Sequence, residues 1–261
     1  MRPGHVSVIV GGSRGIGRAV AHELAARGGN TVVIARDRGR IDAALAALPP
    51  PAQGHHVGRA LDISSPDDMD EMARLCRREF GRVDLLVVSA VVAGYEEHSG
   101  LLPPQVRDMP LSVWQRALDV NLHGAFLANR AVLPLMIAQG SGDILNIGSA
   151  LSPHGMKGQP HAAAYSATKY ALAGFTHTLA AEVVDLGVRV NIVFPGAVLT
   201  PLIEGTAIAA PFGGHISAQQ AAQAIVRLLQ FSADCQPLDP HILPMPGGGA
   251  SISAHGERHG A

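Results

Sequence analysis

Short runs of apolar, mostly β-branched residues alternate along the chain with longer stretches in which apolar residues recur every three or four positions. The short runs are typical of strands buried on both faces, and the longer stretches are typical of amphipathic helices. The predicted strands cover residues 6–10, 31–35, 55–60, 85–89, 143–148 and 188–193, of which the third is the weakest. The predicted helices cover residues 18–27, 67–80, 112–138, 163–186 and 218–231.

The alternation of strands and helices indicates the fold class. Parallel strands need crossovers between them, and these crossovers are nearly always right-handed. The sequence therefore predicts an α/β fold, a Rossmann-type doubly wound parallel sheet of about seven strands with helices on both faces. The 261 residues contain no internal repeat and no obvious linker, so we expect one domain over residues 1–250 and a frayed tail over residues 251–261.

Composition narrows the range of partners. The chain is 47% apolar and 16% charged, and its formal net charge of -1 provides no field that would recruit nucleic acid or an anionic membrane. No apolar stretch approaches the ~18 residues of a membrane span. Cys76 and Cys235 cannot form a disulfide framework, and the histidines show no paired spacing typical of metal ligands. We expect a cytoplasmic protein with a small-molecule substrate, no metal, no nucleic acid and no membrane partner.

A glycine-rich turn directly follows the first predicted strand and leads into the first helix. Three glycines at this position let a pyrophosphate approach the N–H groups of a helix N-terminus, where the helix dipole favours negative charge. The alternative is a merely tight turn, which needs only one glycine. The cofactor-binding candidates in this turn are Gly11, Ser13, Arg14, Gly15, Ile16 and Gly17.

The end of the second predicted strand lies about 20 residues after the glycines, where a nucleotide site usually recognises the adenosine ribose. No carboxylate stands immediately at the strand end, whereas Arg36 follows it, with Arg38 and Arg40 beyond and Arg14 in the glycine turn. A guanidinium pairs well with a 2′-phosphate, which makes NADP(H) the preferred cofactor. Asp37 could instead bind the ribose hydroxyls, so NAD(H) is also possible.

A candidate reacting group lies in the predicted helix 163–186. Tyr165 and Lys169 are four residues apart, so their side chains project from one face. An ammonium favours the phenolate of a tyrosine, whose unperturbed pKa is about 10, and such a tyrosine can act as general acid or base. Ser149 ends a predicted strand, where its hydroxyl can hold a substrate oxygen, although turn geometry alone would also explain it. Asn121 interrupts a helical pattern, and its carbonyl could anchor a water that relays protons.

These motifs, in order and spacing, resemble those of the short-chain dehydrogenase/reductase family over about residues 6–249. The segments that carry the resemblance are the glycine turn, Asp62-Ile63, Val120-Asn121-Leu122, Ile147-Gly148-Ser149, the Tyr165 and Lys169 pair, and residues 190–200. The resemblance implies a catalytic tetrad of Asn121, Ser149, Tyr165 and Lys169. It also implies a homo-oligomer, a tetramer or dimer, assembled through the helices over 112–138 and 163–186.

In the reaction that the resemblance implies, hydride passes between the nicotinamide and a carbonyl carbon while Tyr165 moves the proton. Ser149 then orients the oxygen, and Lys169 also holds the nicotinamide ribose. The resemblance places Asp62 near the adenine and residues 195–200 near the nicotinamide. The cofactor contacts expected outside the glycine turn are Arg36, Asp62, Ile63, Ser89, Ala90, Tyr165, Lys169, Pro195, Gly196, Val198 and Thr200.

We expect an NADP(H)-dependent oxidoreductase that interconverts a ketone and a secondary alcohol on a bulky, largely apolar small molecule. Residues 201–216 predict a short, mobile substrate lid, because apolar side chains such as Leu202 and Ile203 should face the substrate. A rigid loop at an oligomer contact is the alternative. Other uses of the same fold are a dehydratase or epimerase, and a nucleotide-sensing protein without turnover.

One departure from the family pattern, the turn over residues 88–91, motivates the sensing alternative, and a second departure accompanies it. Residues 88–91 read Val-Ser-Ala-Val where the family usually has Asn-Asn-Ala-Gly, and Val10 replaces a threonine before the first glycine. We expect the two changes to be linked, because apolar groups on both sides avoid an unpaired buried donor or acceptor. Val91 in place of glycine also restricts the backbone beside the cofactor.

Overall fold

The computed structural model describes residues 4–94, 102–153, 155, 158–203, 214–230 and 239–244. Its strands are β1 (Val6–Val10), β2 (Asn30–Ala35), β3 (Val57–Ala60), β4 (Leu85–Val88), β5 (Gly142–Ile147), β6 (Val188–Pro195), β7 (Val198–Leu199), β8 (Ile216–Ser217) and β9 (His241–Ile242). Its α-helices are α1 (Gly15–Ala25), α2 (Arg38–Ala46), α3 (Pro66–Phe80), α4 (Leu111–Ala117), α5 (Gly124–Gln139), α6 (Ala163–Val183) and α7 (Ala218–Leu228).

Seven strands form one parallel sheet in the order β3-β2-β1-β4-β5-β6-β9, and β7 pairs with β8 in a separate ribbon. This order confirms the predicted Rossmann-type doubly wound sheet. The chain moves outward from β1 in one direction to β2 and in the other to β4, so the switch point lies between β1 and β4. Ligands of such sheets bind at the carboxyl ends of the strands beside that point.

Two apolar layers cover the two faces of the sheet. Alternation along β1 shows the division, because Val8 and Val10 pack into one layer and Ile9 into the other. The first layer also holds side chains of α3, α5 and α6, including Met72, and the second holds side chains of α1, α2 and α7, including Ile225. Helices therefore lie on both faces, as predicted.

One predicted helix is divided. The region predicted as a single helix over 112–138 contains α4, a π-helical turn over Leu118–His123, and α5. The turn closes with a hydrogen bond from the N–H of Gly124 to the carbonyl of Asp119. π-helical turns often occur at functional sites, and this one contains Asn121.

Helix α2 and the two-residue strands β7, β8 and β9 were not predicted. Helix α2 buries only Ile41 and Ala44, so its apolar pattern is weak, and it is fixed at its start by Asp37, whose side chain accepts from the N–H of Arg40. Strand β9 has two residues, which is too short to give a pattern of its own. Within the described ranges, no helix combines the length and apolar character that a membrane crossing requires. The predicted tail 251–261 and most of the predicted lid lie outside the described residues.

Candidate active site

A single cleft runs along the carboxyl ends of the central strands. Its volume is about 590 Å³, and it extends from the turn after β2 to the start of α6. Predicted site residues that line the cleft are Gly11, Ser13, Arg14, Gly15, Ile16, Arg36, Asp62, Ile63, Ser89, Ala90, Ser149, Tyr165, Lys169, Pro195, Gly196, Val198 and Thr200. Gly17 and Asn121 lie behind its wall instead, where they hold other parts of the site in place.

The glycine turn has no room for side chains. Gly11 has φ of +85°, and a Cβ there would lie 2.5 Å from the backbone nitrogen of Ala90. A Cβ on Gly17 would collide with the carbonyl oxygen of Gly11, so helix α1 could no longer pack against the turn. Because the turn is held this tightly, its backbone stays at the N-terminus of α1, where a pyrophosphate can reach it.

The segment after β4 packs directly on this turn. The N–H of Ser89 donates to the carbonyl of Val10, and the side chain of Ser89 lies beside Gly17. Val10 and Val88 are register partners in the sheet and belong to the same core layer. The two departures from the family pattern are therefore neighbours, and each apolar side chain supplies the other's packing partner. Val91 has no positive φ, so the segment adopts a backbone that valine tolerates.

Three guanidinium groups gather at the end of the cleft that is predicted to hold the ribose. Burial, followed by the positive charges of Arg40 and Arg36, lowers the pKa of Arg14. The carboxylate of nearby Asp37 already has two contacts. Its Oδ1 accepts from the N–H of Arg40 at 2.9 Å, which caps α2, and its Oδ2 lies 3.6 Å from Nε of Arg40. The site thus concentrates positive charge that a bound anion would relieve.

Asp62 and Ile63 form the floor beyond this cluster. Partial burial raises the pKa of Asp62, but two hydrogen bonds from Ser64 and the charges of Arg116 and Arg36 outweigh burial and leave the pKa below its ordinary value. Ser64 donates to Oδ1 from its N–H at 2.9 Å and from its hydroxyl at 2.6 Å. The carboxylate is therefore ionised and held in one orientation at the predicted adenine end.

Ser149, Tyr165 and Lys169 meet where β5 ends and α6 begins. Ser149 forms a hydrogen bond with the phenol of Tyr165, and its Oγ also accepts from the N–H of Leu151 at 3.1 Å. Lys169 donates from Nζ to the carbonyl of Ile147 at 2.6 Å, and Nζ lies 5.7 Å from the centroid of the Tyr165 ring. The hydroxyl, the phenol and the amine therefore share one wall of the cleft.

Burial governs the proton affinities of this pair. Desolvation raises the pKa of Tyr165, and the hydrogen bond with Ser149 acts in the opposite direction. Desolvation lowers the pKa of Lys169 to about 8. Both shifts disfavour the charged forms, so the free protein keeps the phenol protonated at neutral pH.

Asn121 ties the cleft wall to α6. Its Oδ1 accepts from the N–H of Val92 at 2.8 Å, and its Nδ2 donates to the carbonyl of Val92 at 2.9 Å and to Oγ1 of Thr168 at 3.2 Å. Thr168 in turn donates to the carbonyl of Tyr165 at 2.7 Å. The side chain of Asn121 therefore fixes Val92 and the start of α6 relative to each other beside the cleft.

Several cleft residues were missed by the sequence reasoning. They line the part of the cleft where a substrate would be expected beside Tyr165, and they are Val92, Ala93, Pro103, Leu151, Gln159, Pro160 and His161. The last three stand just before Tyr165 in a stretch rich in glycine and proline, which was the available signal. Pro201, Leu202 and Ile203 of the predicted lid also line this part, whereas its residues 204–213 lie outside the described residues.

A cleft at the switch point of a doubly wound sheet, with a glycine turn at one helix N-terminus, defines the class of Rossmann-type nucleotide-dependent enzymes. Residues 5–208 match the short chain dehydrogenase family, and the chain belongs to this family. The protein is thus an NAD(P)(H)-dependent oxidoreductase, as the motifs predicted.

Curated relatives agree with this assignment. The chain is 38% identical over 200 residues to 3-oxoacyl-(acyl-carrier-protein) reductase of Synechocystis sp., with 76% of each chain covered. It is 37% identical over 202 residues to D-beta-hydroxybutyrate dehydrogenase of Rhizobium meliloti, with 76% of this chain and 73% of the relative covered. It is 35% identical over 248 residues to 3-oxoacyl-(acyl-carrier-protein) reductase of Bos taurus, with 93% of this chain and 97% of the relative covered.

Proposed function

We propose that the protein is an NADP(H)-dependent reductase that interconverts a ketone and a secondary alcohol on a bulky, largely apolar small molecule. The observation that carries this proposal is the contact of Tyr165 with Ser149, beside Lys169, at the end of the cleft opposite the arginines. Both kinds of relative reported above have names that describe interconversion of a keto group and a hydroxyl group.

The residues present fit a dinucleotide. The turn around Gly11 excludes side chains where a pyrophosphate would approach, and Arg14 and Arg36 bring positive charge to the ribose end. Asp62 and Ile63 would hold the adenine, and Lys169 the nicotinamide ribose. The remaining proposed contacts are Ser13, Gly15, Ile16, Gly17, Ser89, Ala90, Tyr165, Pro195, Gly196, Val198 and Thr200. The bound cofactor supplies or accepts the hydride.

The proton chemistry is assigned to the side chains of the tetrad. Tyr165 donates its phenolic proton to the substrate oxygen as the ketone becomes an alcohol, and Ser149 holds that oxygen by a hydrogen bond. The ammonium of Lys169 stabilises the phenolate that Tyr165 becomes, because an opposite charge nearby favours the ionised form. Asn121 positions the wall and anchors the water through which the phenolate is reprotonated.

The direct test is NADPH oxidation by the purified protein with a panel of cyclic and aromatic ketones. Consumption of NADPH with formation of the secondary alcohol is the expected result. Conversion of substrate without net NADPH consumption would identify a dehydratase or epimerase instead. Tight NADPH binding with no conversion of any ketone or alcohol would support the nucleotide-sensing alternative.

Cofactor preference is expected to depend on Arg36. In the unmodified protein, kcat/KM is expected to be higher with NADPH than with NADH. Arg36→Ala is expected to lower the ratio of these two values by about tenfold or more, because a charge-assisted contact with the 2′-phosphate is lost. Arg38→Ala is the matched control, because Arg38 pairs with Asp42 at 3.0 Å on the exposed side of α2. Equal kcat/KM values for both cofactors in the unmodified protein would exclude the preference.

Residues 1–250 are proposed to form one catalytic domain in which residues 201–216 cover the substrate end of the cleft. Two observations support this placement: Pro201, Leu202 and Ile203 line the cleft, and β7 pairs with β8, which brings the two ends of the segment together.

Ligand binding is therefore expected to slow chymotrypsin cleavage within residues 201–216, because a lid closes over bound ligand. Digestion followed by mass spectrometry, with and without NADPH plus ketone, measures this protection. Equal protection in both conditions would favour a rigid loop at a subunit contact.

We propose a homo-oligomer, a tetramer or dimer, in the cytoplasm. Exposed apolar side chains on the helices assigned to the subunit contact support self-association, namely Leu111 of α4, Phe126 and Ile137 of α5, and Val184 after α6. Cys76 is buried and free, which is compatible with a reducing compartment. Light scattering during size-exclusion chromatography measures the oligomeric state, and Phe126→Ser is expected to shift it toward the monomer.

A further inference from the structure

Two polar side chains, those of Gln159 and His161, line the otherwise mostly apolar part of the cleft proposed to hold the substrate. Gln159 and His161 belong to the stretch that leads into Tyr165, and they line the same cleft as Pro103, Leu151 and Leu202. Oε1 of Gln159 is buried and has no hydrogen-bond partner. Buried polar atoms are normally hydrogen-bonded, so an unpaired one in a ligand cleft requires an explanation.

One ring nitrogen of His161, Nδ1, forms a hydrogen bond within the protein. Its φ is +65°, a left-handed conformation that is uncommon outside glycine and tends to persist at functional sites. Nδ1 lies 2.7 Å from the carbonyl oxygen of Pro103, across the cleft wall. A carbonyl only accepts, so Nδ1 carries the proton, and Nε2 of the neutral ring is an acceptor. Nε2 has no hydrogen-bond partner within the described ranges.

The charge of the cleft is uneven. The arginines among its described lining residues are Arg14, Arg36, Arg40 and Arg116. The first three form the cluster at the ribose end, and the fourth lies 3.7 Å from Asp62 at the predicted adenine end. The described wall around Gln159 and His161 therefore offers neutral polar groups to a substrate and no guanidinium.

From this arrangement we infer that the substrate carries a neutral hydroxyl group, separate from the reacting carbonyl, which binds between Nε2 of His161 and the amide of Gln159. This inference rests on the proposed function and names the substrate class: hydroxyl-bearing ketones on an apolar frame. A hydroxyl donates its one proton to Nε2 of His161 and accepts from the –NH2 group of Gln159, whose amide has no hydrogen bond at Oε1 that would hold it in the opposite orientation. A methyl ether can only accept, and a carboxylate bound there would lose its hydration without gaining a guanidinium partner on the described part of that wall.

The test compares kcat/KM with NADPH for positional isomers of hydroxytetralone, the matching methoxytetralones, unsubstituted tetralone and the carboxytetralones. At least one hydroxyl isomer is expected to exceed its methyl ether and the unsubstituted ketone by about tenfold, since a site built for a hydroxyl is left with unpaired groups by the analogue. The carboxytetralones are expected to be the poorest substrates. A ratio near one for every isomer, or a preference for the carboxylates, would overturn the inference.

Variants separate recognition from positioning. His161→Asn can keep the donor to Pro103 and tolerates a left-handed backbone, but it removes the Nε2 acceptor. Gln159→Leu removes the amide. Both should bring the hydroxyl-to-ether ratio toward one, whereas a role in positioning alone would change all ketones equally and leave the ratio intact. His55→Asn changes an exposed histidine that precedes β3, and it should retain the ratio of the unmodified protein.

The experiment separates failure of the hydroxyl site from failure of the proposed reductase function. If every tetralone turns over with a ratio near one, the reductase assignment stands and the hydroxyl site is excluded. If none turns over, titration calorimetry measures the dissociation constants of the same ketones from the protein with bound NADP+. The hydroxyl isomer is then compared with its methyl ether by the ratio of these constants. Tighter binding of a hydroxyl isomer that is lost in His161→Asn supports the site, and equal binding excludes it.

Discussion

Tyr165→Phe is expected to lower kcat for ketone reduction by at least about 100-fold, because general acid catalysis contributes that much or more. The phenol is the only group of the proposed tetrad that gives its proton directly to the substrate oxygen. Burial raises its pKa, so the proton is present throughout the neutral range and the loss should be the same from pH 6 to pH 8. Stopped-flow or steady-state NADPH oxidation measures the effect.

The same variant should bind NADPH almost as tightly as the unmodified protein. The groups proposed to hold the phosphates, such as Gly11 and Arg36, lie at the far end of the cleft. Tyr170→Phe is the matched control, since it removes a hydroxyl from the same helix, α6, outside the cleft lining. If Tyr165→Phe keeps more than a tenth of the rate while Tyr170→Phe is fully active, Tyr165 is not the general acid.

The fold was predictable because each central strand is a nearly unbroken apolar run buried on both faces. Strand β1 was predicted with its observed bounds, and β5 and β6 were predicted to within one or two residues of theirs. The failures have physical causes. Helix α2 has a weak apolar face, and the π-helical turn within the predicted helix 112–138 preserves the apolar spacing on both sides while changing the hydrogen-bond pattern.

The site was predictable only where backbone chemistry restricts the sequence. The glycines are required by close approaches, for example that between Gly11 and Ala90, and the spacing of Tyr165 and Lys169 follows from the helical period. The substrate wall has no such restriction. His161 reaches the cleft because its backbone is left-handed and its ring bonds to Pro103, 58 residues earlier in the chain. A contact of that kind has no local pattern.

Lys169 sets the expected pH dependence. Its pKa of about 8 lies below its ordinary value because burial disfavours the ammonium. Above pH 8 the free protein therefore loses the charge proposed to hold the ribose and to stabilise the phenolate. Below pH 8 the charge is present and activity should be level with respect to this group.

The folding free energy responds to the same titration. A folded pKa below the unfolded value means that the unfolded chain binds the proton more tightly, so the contribution of Lys169 to stability increases as pH rises from about 8 toward the unfolded value. Tyr165 acts in the opposite direction only above its own ordinary pKa, because burial raises it. Chemical denaturation of the protein and of Lys169→Met at pH 7 and pH 9.5 should show a gain in stability with pH that is smaller in the variant.

In the kinetics, kcat/KM for NADPH should fall about tenfold per pH unit above pH 8, because this parameter reports titrating groups of the free enzyme. Lys169→Arg provides the matched control: a guanidinium stays charged across this range, so the variant should lose absolute rate, since its geometry differs from that of an ammonium, but should show no decline between pH 8 and pH 9.5. A decline of equal slope in the variant would assign the titration to another group. A level profile in the unmodified protein up to pH 9.5 would mean that the cleft keeps Lys169 charged despite its burial.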